Sequence, residues 1–313
     1  MSEKNQISVY LVDEVRIDRY LSEVLNLPRS VIKTHIQSDA IRCNGERVRP
    51  SQKVQHRDEI VVIFPAVMET LPVVGELKDG VIHSMHWQIP MLYSDDHVLV
   101  VHKPAGLVVH SAPTIADVNL VDIILASGIA LASGQEGRPG IVHRLDQFTE
   151  GVMMLAKSAI AFEHLTAQFR DRKIQKRYYA VLQGALSAKE GIIDRPIGRD
   201  ASVRARQSCH HMVEGSEKDA MTKYKVLHEF TNLTFVDVEL LTGRTHQIRV
   251  HFASLNCPVL GDSLYSQQAK KSEGYYLQSY YLEFQHPVSH ECMSFTLPVS
   301  NRLQKYAGQN NDK

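Results

Sequence analysis

Cysteine is scarce in this chain of 313 residues, and its four copies are scattered. They include no C-x-x-C pair, so the sequence predicts neither a disulfide framework nor a structural zinc site. An excess of one charge is also missing, because 35 Lys and Arg residues balance 35 Asp and Glu residues. A net charge of zero argues against nucleic-acid binding by the surface as a whole. Whether nucleic acid can bind therefore depends on local clusters of Lys and Arg.

Long apolar runs are missing as well. The least polar stretch, residues 118–133, is interrupted by Asn119 and Asp122, and the first residues show no basic segment followed by an apolar core. We therefore expect a cytoplasmic protein that does not use a membrane. P-loop, G-x-G-x-x-G, G-x-S-x-G and H-E-x-x-H motifs are all absent. The sequence thus predicts chemistry on side chains alone, with no metal and no cofactor.

What the chain does contain is three basic islands. Lys and Arg outnumber Asp and Glu by nine to four between Arg16 and Arg57, by five to one in residues 166–179, and by four to one in residues 195–206. Such islands are suited to phosphate binding, although exposed basic residues are also the default on any protein surface.

The first island coincides with a small folded module. Apolar residues recur at helical spacing from Ile17 to Leu25, and Ser30 is a candidate N-cap for a second short helix through Ile36. Residues 40–43 are predicted as a strand, Asn44-Gly45 is a hairpin signal, and residues 59–64 are predicted as a final buried strand. Two helices and a small sheet are suited to docking on phosphates, with the basic candidates Arg16, Arg19, Arg29, Lys33 and Arg42.

The remaining chain is predicted to hold a larger domain of a different character. Residues 66–86 contain Gly and Pro and are predicted as an irregular linker. After it, strands are predicted at 98–101, 140–144, 151–156, 177–182 and 235–241, and helices at 158–169 and 245–255. We therefore expect an α+β protein, with a small basic module in 1–65, a linker in 66–86, a domain in 87–300 around one mixed, mainly antiparallel sheet, and a C-terminal tail in 301–313.

Three segments carry polar residues next to apolar elements. GIVHRLDQFTEG places Asp146 in a turn between two predicted strands, LLTGRTHQIRVH places Arg244, His246 and Arg249 on the exposed face of a predicted helix, and KIQKRYYAV places Tyr178 behind a basic run. As a bare pattern, an aspartate in such a turn is more often a residue that bonds its own backbone.

Several segments of the chain resemble the motifs of known protein families. RIDRYLSEVLNLPRSVIKTHIQSDAIRCNGERV resembles the RNA-binding module named after ribosomal protein S4. LYSDDHVLVVHKPAGLVVH, HRLDQFTEG, KRYYAV and GRTHQIRVH, in that order along the chain, are similar to the RluA-type pseudouridine synthases, which convert uridines of RNA to pseudouridine without a cofactor. The chain departs from that pattern at Gln147-Phe148 and at Glu150.

This resemblance implies roles for individual residues. Asp146 would be the single catalytic carboxylate, acting either on the sugar or on one of its protons, and Arg249 would pair with it. Tyr178 would stack on the extruded uracil and stand near C5, and Arg144 would fill the space that the base leaves. Arg16, Arg19, Arg29 and Lys33 would contact RNA phosphates.

The expected substrate is large-subunit ribosomal RNA, with transfer RNA as the alternative, and we expect a monomer. A second hypothesis is an RNA-binding assembly factor in which Phe148 and Glu150 have cost catalysis. A third, a glycoside hydrolase, needs a second catalytic carboxylate, for which Glu150 and Asp262 are the candidates.

Overall fold

The computed structural model describes residues 3–8, 15–24, 29–55, 58–64, 76–84, 87–110, 119–134, 138–266 and 274–308. The chain divides into two compact units. One comprises residues 1–77, 83–86 and 110–129, and the other comprises residues 78–82, 87–109 and 130–313. Within the described residues, no helix is long and apolar enough to cross a membrane.

The first 64 residues of the first unit contain two short helices and a small antiparallel sheet, so the predicted helix pair, strands and hairpin are confirmed. The elements are β1 (Glu3–Ser8), β2 (Val15–Arg16), α1 (Ile17–Val24), α2 (Arg29–Gln37), β3 (Ile41–Cys43), β4 (Glu46–Arg47), β5 (Lys53–Val54) and β6 (Glu59–Phe64). The sheet order is β1-β6-β3-β4, and β2 pairs with β5.

The core of this unit follows the helical spacing of the sequence. Ile17 and Leu21 of α1 and Ile32 of α2 are fully buried against β3 and β6, and each such side chain contributes about 1.5–3 kcal/mol through burial. The β3–β4 turn has positive φ at both central residues, 53° at Asn44 and 83° at Gly45, as a tight hairpin requires. Ser30 is not the N-cap, because α2 begins one residue earlier, at Arg29.

One large sheet dominates the second unit. From one edge to the other, its strands are β13 (Glu190–Asp194), β16 (Met221–Glu229), β17 (Leu233–Leu240), β12 (Gln175–Gln183), β18 (Leu277–Gln285), β11 (Glu150–Ala156), β10 (Val98–Lys103), β9 (Gln88–Ser94), β8 (Val81–His83) and β7 (Glu76–Lys78). Strand β19 (Cys292–Thr296) pairs with β18. The β11–β18 pair is parallel, and the other registered pairs are antiparallel. The expected α+β class with a mixed, mainly antiparallel sheet is therefore confirmed.

The other elements of this part of the chain are the helices α3 (Leu120–Ala126), α4 (Ala159–Arg170) and α5 (Gln247–Ala253) and the short strands β14 (Gly198–Arg199) and β15 (Gln207–Ser208). Strands β14 and β15 form a separate pair. Helix α3 is grouped with the first unit and is capped by the Asn119 side chain.

Three local predictions were wrong. Residues 140–144 are turns rather than a strand, because Gly140 has positive φ and the backbone bends before Asp146. The predicted linker contains the strands β7 and β8, and the rest of it lies largely outside the described residues. The expected tail is packed up to its 3-10 turn at Gln304–Tyr306, since Leu303 is fully buried beside Val181 and Phe235. Residues 309–313 lie outside the described residues.

Two packing features prepare the site. Strand β11 is buried along its whole length, and α4 packs on it through Ala161 and Leu165. The turn that precedes β11 therefore emerges from a rigid layer. Helix α5 is similarly buried along most of its residues, so a polar side chain on it must find its partners within the protein.

Candidate active site

A cleft of about 900 Å³ opens beside the turn that precedes β11. Among the described residues that line it, the only carboxylate is Asp146. The cations that line it are Arg138, Arg144, Arg170, Arg172, Lys176 and Arg244. A cleft with this balance attracts polyanions and presents one acidic group to them.

Asp146 is held in a turn by its backbone and by one guanidinium. Its carbonyl oxygen accepts a hydrogen bond from Thr149 N at 3.1 Å, and its Oδ2 accepts one from Arg249 Nη1 at 3.0 Å. The Asp146 side chain is 27% exposed, so the carboxylate is anchored and still reachable from the cleft. Within the described part of the chain, no hydrogen bond to Asp146 Oδ1 is formed.

Arg249 bridges two carboxylates. Its Nε and Nη2 donate to Asp262 Oδ2 and Oδ1 at 2.6 and 3.1 Å, while Nη1 serves Asp146. The ring of Tyr275 lies 4.4 Å from the guanidinium carbon, and that of Tyr265 lies 5.1 Å from it. Burial by itself would lower the pKa of Arg249, but the hydrogen bonds that Arg249 donates to Asp262, together with the nearby negative charges, outweigh it and raise that pKa.

The helix prediction for this segment needs correction. Arg244 and His246 precede α5, which begins at Gln247, and Arg249 is buried rather than on an exposed face. The bidentate partner Asp262, fully buried, explains why a guanidinium is stable there.

Tyr178 lies on β12, directly opposite Ser279 of β18, and lines the cleft. The β12–β18 register shifts between Arg177 and Tyr178, a bulge of the kind that redirects a side chain next to a site. Burial raises the pKa of Tyr178, so its hydroxyl stays protonated at neutral pH. Tyr179 faces the other side of the sheet, where it stacks on Tyr280 at 3.8 Å.

His143 ties the Asp146 turn to β11. Its Nε2 accepts a hydrogen bond from Met154 N at 3.0 Å, and its ring stacks on Phe169 at 4.9 Å. Lys176 Nζ lies 5.5 Å from the same Phe169 ring. Burial, and then the charge of Lys176, lower the pKa of His143 to about 3, which keeps the imidazole neutral.

Lys103 is a residue of the site region to which the sequence had assigned no role. It is fully buried, and its Nζ donates to three backbone carbonyls, those of Pro104, Leu107 and Gln147, at 2.9, 2.8 and 2.9 Å. The Gln147 carbonyl also accepts from Gly106 N at 2.9 Å. Burial lowers the pKa of Lys103 to about 7 against the opposing charges of Asp146 and Glu150. The signal in the sequence was a lysine at the end of an apolar strand, HVLVVHKP.

The other predicted contacts fall into two groups. Arg144 is exposed at the cleft. In the first unit, Arg16 and Arg29 both bind the fully buried Asp18, Arg16 at 3.1 and 3.0 Å and Arg29 at 2.7 Å, and remain about half exposed. Arg19 is exposed and Lys33 is partly buried, on α1 and α2. Arg42 binds Asp39 at 2.6 Å.

Both candidates for the second carboxylate that a glycoside hydrolase would need are already engaged. Asp262 binds Arg249, and Glu150 is buried and accepts a hydrogen bond from Ser300 Oγ at 2.7 Å. Neither lines the cleft. Across the described ranges, no three His, Cys, Asp or Glu side chains are grouped as metal ligands.

Comparisons with known proteins give separate evidence on the family. The family profile described as RNA pseudouridylate synthase matches residues 97–254, and the S4 domain profile matches residues 15–60. The chain is 36% identical to an uncharacterised RNA pseudouridine synthase of Bacillus subtilis, covering 94% of this chain and 95% of that protein. It is 36% identical to the ribosomal large subunit pseudouridine synthase D of Xanthomonas campestris, covering 93% and 87%.

A solved structure also matches. Human RNA pseudouridylate synthase domain containing 4 superposes with a TM-score of 0.53 at 25% identity, over 68% of this chain and 90% of that chain. The protein is an RNA-modifying isomerase. It belongs to the RluA-type family of RNA pseudouridine synthases and carries an S4 domain ahead of the synthase domain. The resemblance read from the sequence is confirmed.

Proposed function

We propose that this enzyme isomerises specific uridines of large-subunit ribosomal RNA in the cytoplasm, with Asp146 as its catalytic carboxylate. The observation that carries the proposal is the cleft in which that one carboxylate, fixed by Arg249, is surrounded by cations. The choice of ribosomal RNA is supported by relatives named for the large ribosomal subunit, two of which are 36% and 35% identical to this chain.

The reaction needs a carboxylate but no second acid. The bond between ribose C1′ and uracil N1 breaks, the base turns, C5 bonds to C1′, and the proton from C5 is lost while N1 gains one. Because the leaving base returns as the nucleophile, no water has to be activated, in contrast to glycoside hydrolysis by a carboxylate pair. One exposed aspartate is therefore sufficient.

In this proposal Asp146 acts on the ribose through Oδ1. Arg249 occupies Oδ2, and the bidentate bond from Arg249 to Asp262 fixes the guanidinium. A charge-assisted hydrogen bond favours the ionised carboxylate and fixes its direction, which are the two properties that the step requires.

Tyr178 packs against the extruded uracil. A neutral, buried phenol provides a flat contact for the base at the wall of the cleft. To accept the proton from C5, this phenol would have to release its own proton at the same time, so we assign it the stacking role first.

Arg144 and the other cleft cations hold the nucleic acid. The target base must leave the stack to reach Asp146, at a cost of a few kcal/mol, and an exposed guanidinium next to Asp146 is suited to fill the vacated space. The S4 domain then contributes affinity and target choice through phosphate contacts from residues such as Arg19 and Lys33.

The test compares pseudouridines in RNA from cells with and without this protein, mapped at single-nucleotide resolution. We expect one or a few sites in large-subunit ribosomal RNA to disappear, and to return with wild-type protein but not with Asp146→Asn. Loss of sites only in transfer RNA would contradict the substrate. An unchanged RNA, with ribosome assembly impaired, would support the assembly-factor alternative.

A further inference from the structure

Tyr265 is held next to Asp262, the residue whose carboxylate binds Arg249. It lies in the turn after Asp262, where Leu264 N donates to Asp262 Oδ1 at 3.1 Å and Tyr265 N donates to Asp262 O at 3.3 Å. The guanidinium carbons of Arg249 and Arg206 lie 5.1 and 5.3 Å from the centre of the Tyr265 ring. The position of the Tyr265 hydroxyl is therefore fixed relative to Asp262 and Arg249.

The hydrogen bonds of that hydroxyl indicate which ring nitrogen of His246 carries the proton. Gln207 N–H donates to Tyr265 Oη at 2.8 Å, and Tyr265 Oη lies 2.8 Å from His246 Nδ1. The hydroxyl forms no third hydrogen bond within the described part of the chain, so we assign its hydrogen to Nδ1 and the imidazole proton to Nε2.

His246 Nε2 points towards Asp146. It lies 3.9 Å from Asp146 Oδ2, the same oxygen that accepts from Arg249 Nη1. Burial lowers the pKa of His246, with Asp146 opposing, so the imidazole is a neutral donor. A gap of 3.9 Å is about 1 Å longer than a hydrogen bond, and such contacts often shorten when substrate binds.

The backbone at His246 indicates that this placement has a cost. His246 adopts the left-handed conformation, with φ 57° and ψ 19°, which is uncommon for a residue other than glycine. It occupies the N-cap position of α5, where Ser, Thr, Asp or Asn normally bonds the helix, yet its side chain makes no such bond. The side chain is directed to Tyr265 instead, as expected where local strain serves a site.

We propose that His246 and Tyr265 are positioning residues for Asp146. Tyr265 fixes the imidazole, and His246 Nε2–H donates to Asp146 Oδ2 when RNA fills the cleft, so that Oδ1 alone faces the ribose. Because the donor is neutral, it orients the carboxylate without a second positive charge that would weaken it as a nucleophile or base. The chain of bonds also links β15, through Gln207, to the catalytic carboxylate.

The kinetic test uses full-length protein with the variants Tyr265→Phe, His246→Gln and His246→Asn. For Tyr265→Phe and His246→Asn we expect kcat to fall about 10- to 100-fold, the worth of one hydrogen bond to a charged group, with KM within about 3-fold. Gln carries an amide N–H near the place of Nε2 and should retain kcat within about 5-fold. Asn tolerates left-handed φ but is too short to reach Asp146.

The control is Tyr224→Phe, which removes the hydroxyl from a buried ring that packs on Phe252 and is not among the residues that line the cleft. It should leave kcat unchanged. Wild-type kcat in Tyr265→Phe, or equal losses in His246→Gln and His246→Asn, would overturn the proposal.

The kinetic part rests on the proposed function, so a second readout is independent of RNA. Nitrogen-15 NMR of the free enzyme should show His246 with Nε2 protonated and Nδ1 unprotonated between pH 7.5 and 8.5, and Tyr265→Phe should abolish that single tautomer. Protonated Nδ1 in the wild-type enzyme would refute the hydrogen-bond chain even if turnover is normal. If wild-type protein makes no pseudouridine, the proposed function fails, while the NMR result still decides the chain.

Discussion

The S4 domain and the synthase cleft each contain a fully buried ion held by two partners, with opposite signs. In the S4 domain the buried ion is the carboxylate of Asp18, and its partners Arg16 and Arg29 are about half exposed. In the synthase domain the buried ion is the guanidinium of Arg249, and its partners are Asp262 and the partly exposed Asp146. One cluster presents positive charge outward, and the other presents one negative charge.

This difference matches the two tasks of an RNA-modifying enzyme. Guanidiniums anchored at one end and exposed at the other can hold phosphates without losing their orientation. A carboxylate anchored by a buried guanidinium can meet a sugar inside a cationic cleft without repelling the RNA as a larger acidic surface would. Burial by itself would raise the pKa of Asp18, but the two arginines outweigh it and lower that pKa.

The largest effect should come from removing the presented charge of the cleft. In Asp146→Asn we expect turnover to fall at least about 1,000-fold, because the amide has similar volume but neither charge nor comparable nucleophilicity. RNA affinity should stay within a few-fold. Pseudouridine formation under single-turnover conditions, together with filter binding, measures both, and substantial turnover in the purified variant would refute the assignment of Asp146.

Removing the buried guanidinium should damage both rate and stability. Arg249→Met leaves Asp262 buried without its partner, which costs about 3–5 kcal/mol of unfolding free energy, and we expect turnover to fall about 100-fold or more. The double variant Arg249→Met with Asp262→Asn should recover much of the stability but not the rate. Recovery of both would mean that Arg249 acts on the fold alone.

In the S4 domain, a basic residue that binds the buried Asp18 should affect stability, whereas one that contacts only RNA should not. Arg29→Ala should cost about 1.5–3 kcal/mol, because a hydrogen bond to buried Asp18 is lost, and should also weaken RNA binding. Lys33→Ala should leave stability unchanged and reduce the log–log salt slope of binding by about 0.7–0.9, the share of one phosphate. Equal effects of the two variants on stability would contradict this division.

The smallest effect should come from the neutral histidine that ties the Asp146 turn to β11. The pKa of folded His143, about 3, lies below its ordinary value of 6.5, so its contribution to stability is complete above pH 6.5 and is lost as pH falls towards 3. Between pH 7 and 5 the wild-type protein should lose about 1–2 kcal/mol more than His143→Gln. Denaturant unfolding at both pH values tests this, with the exposed His228→Gln as control.

Much of the framework could be predicted from the sequence because local patterns carry it. Apolar spacing placed α1, α2 and α4, and Asn44-Gly45 placed the hairpin. The same logic failed at residues 140–144, where an apolar and small-residue run is bent by Gly140. Periodicity does not reveal such a turn, since burial of the run is compatible with either form.

For the site, motif order identified the family and therefore Asp146, Tyr178 and Arg249 as candidates, whose roles stay proposals. The sequence alone also fixed the charge islands and the spacing of the core residues. Only the tertiary structure decided that Arg249 is buried and shared between two carboxylates that lie 116 positions apart in the chain. It also decided that Arg16 and Arg29 hold Asp18, and that Tyr265 bonds His246 beside Asp146. These partners meet through packing of distant segments, and because a hydrogen bond depends on distances of a few tenths of an ångström, spacing along the chain cannot specify it.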